Sequence, residues 1–296
     1  MSRKLLFIVN PRSGKKNSGK VIDIITKEIP TNVEYEIGLW TNIGEFNILA
    51  DKLKSQNFTD AIAVGGDGSV NLVGKTVLNK NITLGIIPTG SGNGLARSLG
   101  YKMEISEALK QIIEGKTTLI DSGTVNGSPF FCTSGIGFDA RIGNLFTTAA
   151  KRGLRSYIKM IFKEYFSYQP NTYFLKFEGK EFSKRAFLIT IANAGQYGNN
   201  FYIAPQAKIN DGLFHIAILK PFSFLQSIGI VLKIMNRKAD RSRFIETHTC
   251  KELKIIRGKN DAIHFDGEPE VLGTELHYTL NPKSVKVIVG DKFDGV

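Results

Sequence analysis

The chain has 296 residues, 42% hydrophobic and 22% charged, enough to bury a large core and more than one domain usually holds. Its formal net charge of +12 points to a polyanionic partner, whether nucleotide, nucleic acid or anionic membrane surface. Cys132 and Cys250 lack metal-ligand spacing and read as buried free thiols, which excludes a disulfide scaffold.

The first third alternates regularly. Apolar runs predict strands over 5–9, 35–40, 61–64 and 83–87, and helical spacing predicts helices over 19–29, 45–54, 70–78, 93–99 and 106–114. Strands alternating with helices imply right-handed crossovers and a parallel sheet, with ligands bound beyond the carboxyl ends of the strands. After Gly115 short β-rich runs take over, at 119–125, 129–133, 172–177, 186–192, 213–219, 252–256, 262–265, 276–280 and 285–289. Turns such as Asn126-Gly127 and Asp211-Gly212 punctuate them, and two helical insertions fall near 149–165 and 223–236. The expected organisation is an α/β domain over 1–124 and a β-rich, antiparallel domain over 125–280, with 281–296 packing back onto the first.

Three glycine-rich loops follow three strands of the first domain. They are Asn10-Pro11-Arg12-Ser13-Gly14-Lys15, Gly65-Gly66-Asp67-Gly68-Ser69-Val70-Asn71 and Pro88-Thr89-Gly90-Ser91-Gly92-Asn93-Gly94. Glycines let main-chain N–H groups approach a bulky anion, and a following helix adds its positive end. A phosphate-rich ligand is the expected occupant. Asp67 would repel that ligand, so it reads as a partner for a metal, a ribose or a basic side chain; a plain strand-to-helix turn uses the same residues. Gly14–Lys20 fits GxxxxGK, but Val21 follows where a P-loop needs a hydroxyl. Residues 90–95 fail GxGxxG at the last glycine.

These loops together resemble the soluble bacterial diacylglycerol kinase and sphingosine kinase family, whose glycine-aspartate loop is shared with NAD kinases and 6-phosphofructokinases. Gly135-Ile136-Gly137-Phe138-Asp139-Ala140, the run from Ala204 to Leu213, and Phe265-Asp266-Gly267-Glu268 extend the likeness along the chain. The resemblance implies an NAD kinase-like α/β nucleotide domain with a parallel sheet, an antiparallel β-sandwich domain for lipid, and ATP with Mg2+ as cofactors. It carries nucleotide contacts to Asn10, Thr41, Gly65, Gly66, Asp67, Gly68, Ser69, Val70, Asn71, Gly90, Ser91 and Asn93. It makes Glu268 the proton acceptor, with Asp266 as its partner and alternative, and Asp67 the acidic group of the first domain. Asp211 with the carbonyls of Lys208 and Leu213 becomes an Mg2+ site, since hard oxygen ligands suit that ion. Without the resemblance, both Asp-Gly pairs read as hairpin turns.

The four histidines have no ligand spacing and read as structural. The segment 151–163 interleaves basic with aromatic and aliphatic residues, and Arg237, Lys238, Arg241 and Arg243 follow the apolar stretch 222–235. Both suit a peripheral membrane face, and equally a solvated face over a core helix. The stretch is too short to span a bilayer, so the expected location is the cytoplasm, including the inner membrane face. No nucleic-acid motif is present. The expected activity is ATP-dependent phosphorylation of a diacylglycerol-like or sphingoid alcohol. The alternatives are a kinase for a soluble acceptor such as NAD, or a non-catalytic nucleotide- or lipid-binding protein. Oligomeric state stays open, a homodimer included.

Overall fold

The computed structural model describes residues 3–13, 18–147 and 154–295. Its first elements are β1 (Lys4–Val9), α1 (Ser18–Glu28), β2 (Glu34–Leu39), α2 (Ile43–Ser55), β3 (Asp60–Gly65), α3 (Asp67–Val77) and β4 (Thr83–Pro88). Then come α4 (Gly94–Ser98), α5 (Ile105–Glu114), β5 (Thr117–Val125), β6 (Ser128–Phe130), β7 (Thr133–Gly137), α6 (Phe138–Thr147) and α7 (Leu154–Ser167). The rest are β8 (Asn171–Phe177), β9 (Lys180–Ala186), β10 (Leu188–Ala192), β11 (Phe214–Leu219), α8 (Phe224–Met235), β12 (Ile245–Cys250), β13 (Glu252–Arg257), β14 (Asp261–Phe265), β15 (Glu268–Leu272) and β16 (Glu275–Ile288). The chain forms two compact units, Met1–Ser122 with Pro282–Val296, and Gly123–Asn281.

In the first unit, β2, β1, β3 and β4 lie parallel in that order, and Val287 of β16 pairs with Leu84 of β4. Every residue of β3 and β4 is buried, which is why these strands read as unbroken apolar runs. Helices cover them with apolar stripes, Val21 and Ile25 from α1, Val70, Val73 and Val77 from α3, and Ile105, Ala108, Leu109 and Ile112 from α5. Fully burying each large aliphatic side chain contributes about 1.5–3 kcal/mol. Helix α3 begins at Asp67, three residues earlier than its apolar spacing predicts. Extended Gly66 ends the strand, and its carbonyl accepts the Val70 N–H at 3.0 Å, so Gly68 and Ser69 form the first turn.

The second unit is built on two antiparallel sheets. One runs β16-β13-β8-β9 and the other β12-β11-β10-β7-β14-β15. They share a core in which Phe130 stacks on Phe214 at 5.7 Å and meets Tyr278 edge-on at 6.3 Å. A second apolar cluster joins Phe138 and Ile142 of α6, Phe187, and Ile230 and Ile234 of α8.

Sequence periodicity misses four of these strands. In β7 most residues are small, β9 is mostly polar and exposed, and β12 is apolar only at its ends, Ile245 and Cys250. Strand β15 carries Pro269 and ends its sheet, where proline is tolerated. The runs expected at 276–280 and 285–289 are one strand, β16. It passes through Pro282 because Lys283 adopts φ +51° and donates its N–H to buried Asp121 at 2.7 Å. The expected insertions are α7 and α8, with residues 149–153 outside the described ones.

Candidate active site

Three strand ends of the first unit bring their loops together. Asn10, at the end of β1, donates from Nδ2 to Ser69 Oγ at 3.0 Å, and Thr89 Oγ1 donates to Ser13 Oγ at 3.3 Å. Gly66 and Gly90 meet backbone to backbone. A Cβ on Gly90 would stand 2.6 Å from the Gly66 Cα, inside any permitted contact, so this junction requires glycine. Asp67 closes it, accepting the Asn93 N–H at 2.9 Å on one oxygen and the Gly94 N–H at 2.7 Å on the other. The aspartate thus ties the third loop to the N-terminus of α3.

The loop cluster is a main-chain surface. The N–H of Val70 is committed to Gly66, and helix geometry leaves the N–H groups of residues 67–69 without intrahelical acceptors. Ser69, Val70 and Asn71 are buried and Ser91 is exposed. Asn93 adopts a left-handed backbone, φ +53°, and donates from Nδ2 to Gly90 O at 2.8 Å. Its Oδ1 is buried with no hydrogen-bond partner among the described residues. Thr41 is exposed and engaged with its own helix: its N–H and hydroxyl donate to Glu45, which holds the Glu45 carboxyl below its usual range. Gly14 and Lys15 of the first loop lie outside the described residues.

In the second unit, Asp266 and Gly267 form the two-residue turn between β14 and β15, with Phe265 paired to Glu268. Both turn residues have positive φ, +51° and +90°, as a tight hairpin with right-handed strand twist requires. Hairpin and acid pair are therefore one object. The Asp266 carboxylate accepts three main-chain N–H groups, from Phe131 at 2.9 Å and from Cys132 and Thr133 at 2.7 and 3.0 Å. It pins the turn to β7. Glu268, the first residue of β15, is exposed.

A buried polar network lies beneath this turn, and periodicity gave no sign of it. His264, 5% exposed, stands with Nε2 3.2 Å from Asp139 Oδ2, and its Nδ1 faces the Gly267 N–H at 3.4 Å. Tyr197 donates its hydroxyl to the same Asp139 oxygen at 3.1 Å and also contacts Thr190. His264 thus links the turn to the start of α6. The usable signals were the Gly135–Ala140 motif and a histidine two residues before Asp266.

Asp211 forms a separate turn. Its carboxylate accepts the N–H of Lys208 at 3.2 Å and of Leu213 at 3.0 Å, and it faces His215 Nε2 at 3.0 Å. These bonds bring N–H donors, not carbonyls, to the carboxylate, and the Lys208 carbonyl accepts the Asp211 N–H at 3.3 Å. Among the described residues, no three His, Cys, Asp or Glu side chains cluster as a metal site.

Residues 4–125 match the diacylglycerol kinase catalytic domain family, and residues 133–289 the YegS C-terminal NAD kinase beta sandwich-like domain family. The chain is 31% identical over 227 residues to a Chromohalobacter salexigens protein named "Probable lipid kinase YegS-like", covering 75% of this chain and 73% of that one. It is 26% identical over 272 residues to a Bacillus subtilis protein named "Diacylglycerol kinase", covering 90% of each. A solved structure of a diacylglycerol kinase from Bacillus anthracis superposes with a TM-score of 0.74 at 20% identity, over 98% of this chain and 97% of that one, a likeness of fold. The chain belongs to the family of diacylglycerol kinases and YegS-like lipid kinases.

Proposed function

We propose that the protein is an ATP-dependent kinase that transfers the γ-phosphoryl group to the hydroxyl of a diacylglycerol-like or sphingoid lipid. The observation that carries this reading is the junction of Gly66 with Gly90 under the Asp67 clamp. It gathers main-chain donors and a helix N-terminus into a surface suited to a triphosphate. The buried Asn93 Oδ1 offers the nucleotide an acceptor for a ribose hydroxyl or a base amino group. Asn10, Thr41, residues 65–71, Gly90 and Ser91 complete the proposed contacts.

The acceptor oxygen attacks the γ-phosphorus in line, the bond to the β,γ-bridging oxygen breaks, and ADP leaves. Glu268 takes the hydroxyl proton while Asp266 fixes the turn that presents it. Asp67, whose oxygens accept the Asn93 and Gly94 amides, would act on the Mg2+ of the nucleotide from behind the loop it holds, and Asp211 with the carbonyls of Lys208 and Leu213 would hold a second ion. When bound, Mg2+ neutralises charge on the phosphates. The proposed setting is the cytoplasm, at the inner membrane face.

The test is a radiolabelled-ATP assay against diacylglycerol, sphingosine and NAD. Label in a lipid product, abolished by chelation of divalent cations, is expected. Transfer to NAD without any lipid would replace the acceptor. ATP binding with no transfer to any alcohol would leave only a binding protein.

A further inference from the structure

We infer that the outer face of α8, extended by two rings of α7, is the surface through which the protein docks on an anionic lipid bilayer. Helix α8 is seated by Ile230 and Ile234, both buried. Its opposite side should be polar in an ordinary surface helix. Instead Leu225, Ile228, Leu232 and Met235, spaced three, four and three apart, are 81%, 62%, 54% and 51% exposed. The stripe continues onto α7, where Phe162 and Phe166 are 52% and 63% exposed and their rings lie 5.0 and 5.5 Å from Phe224. A contiguous apolar surface of this kind marks an interaction site.

Charge selects the occupant. The helix carries one ionisable residue, Lys233, and the chain leaving it exposes Arg237, Lys238, Arg241 and Arg243. Among the described residues none of these five cations is in an ion pair. Arg237 instead stacks on the Tyr202 ring at 4.2 Å, and Lys233 Nζ donates to the Arg241 carbonyl at 2.8 Å. The acid in this stretch, Asp240, accepts from Gln206 at 3.3 Å. A second copy of this chain would bring two such cationic rims together. Anionic headgroups around an apolar interior match both the rim and the stripe. At twelve residues α8 lies in the interface, and no helix among the described residues is long and apolar enough to cross a membrane. The inference deepens the lipid-kinase reading and rests on it only for what the docked protein does there.

The experiment is co-sedimentation of the full chain with phosphatidylcholine vesicles, with and without phosphatidylglycerol, at low and high salt. Binding that needs phosphatidylglycerol and weakens with salt is expected. Leu225→Asp with Ile228→Asp should lower partitioning at least about tenfold, and each of Lys238→Gln and Arg241→Gln about fivefold. The glutamine pair Leu225→Gln with Ile228→Gln serves if the aspartates disturb folding, checked by circular dichroism. Phosphorylation of a short-chain, water-dispersed acceptor should be unchanged in all of them. A wild type that phosphorylates no lipid removes the kinase reading and leaves vesicle binding to be read separately. Equal binding to neutral vesicles overturns the inference, as do variants that partition like wild type. So does a wild-type dimer in sedimentation velocity that Leu225→Asp dissolves while vesicle binding persists.

Discussion

Asp67 in the first unit and Asp266 in the second perform the same mechanical task in different company. Each spreads its carboxylate over main-chain N–H groups, those of Asn93 and Gly94 for Asp67 and those of residues 131–133 for Asp266. Beside Asp67 the exposed chemistry is backbone, two loops in contact through glycines and the first turn of a helix. Beyond Asp266 it is a side chain, Glu268, lifted by a two-residue turn. In both motifs the aspartate is the clamp, and what differs is the group it presents, main chain in one and a glutamate in the other. Disturbing the first clamp should alter nucleotide affinity, and disturbing the second should alter turnover.

The largest expected effect tests the presented side chain itself. Glu268→Gln should lower kcat about 10²- to 10⁴-fold with little change in melting temperature, since the residue is exposed and glutamine keeps its size. Steady-state kinetics with a thermal melt reads both, and a kcat near wild type would remove Glu268 from the proton transfer. Next comes the glycine junction. Gly90→Ala forces a methyl onto Gly66, costing about 1–3 kcal/mol, which should appear as weaker ATP binding by calorimetry. If ATP affinity stays while turnover falls, the division of labour between the two clamps is wrong.

Asp266→Asn should destabilise the protein by about 1–3 kcal/mol, because one oxygen becomes a donor facing main-chain N–H groups. Urea unfolding would measure that loss, and an unchanged ATP affinity would sharpen the contrast with Gly90→Ala. The smallest effect is a control away from both turns. Burial of Glu246 raises its carboxyl, but hydrogen bonds from Lys184, His248 and Lys220 outweigh it and bring the pKa down to about 2. A depressed carboxyl stabilises above its ordinary value of 4.5, and that stability is lost as pH falls toward 2. Glu246→Gln should therefore flatten the acid limb of urea stability between those values and leave kinase activity alone.

Much of the first unit was legible because its strands are buried on both faces and its helices carry one apolar stripe. Residues 61–64 and 83–87 announce themselves by composition alone. The second unit hides more: β9 and β15 lie half in solvent, and β16 crosses a proline that reads as a break. At the site, glycine-rich loops could be found by spacing, but the direction of a hydrogen bond could not. Asp67 reads as a metal or ribose ligand, whereas in the fold its oxygens accept two amides. The role of His264 is hard to read for a like reason, since its contact with Asp139 joins residues 125 apart in the chain.

Val287, near the chain's end, completes the open side of β4, a strand finished some two hundred residues earlier. During synthesis that edge must wait, its amides and carbonyls unpaired, until β16 has left the ribosome. Unpairing residues 285–288 from it would expose it permanently. Substitutions that unpair β16 from β4 are thus expected to provoke aggregation more readily than equivalent changes at the outer strand β2.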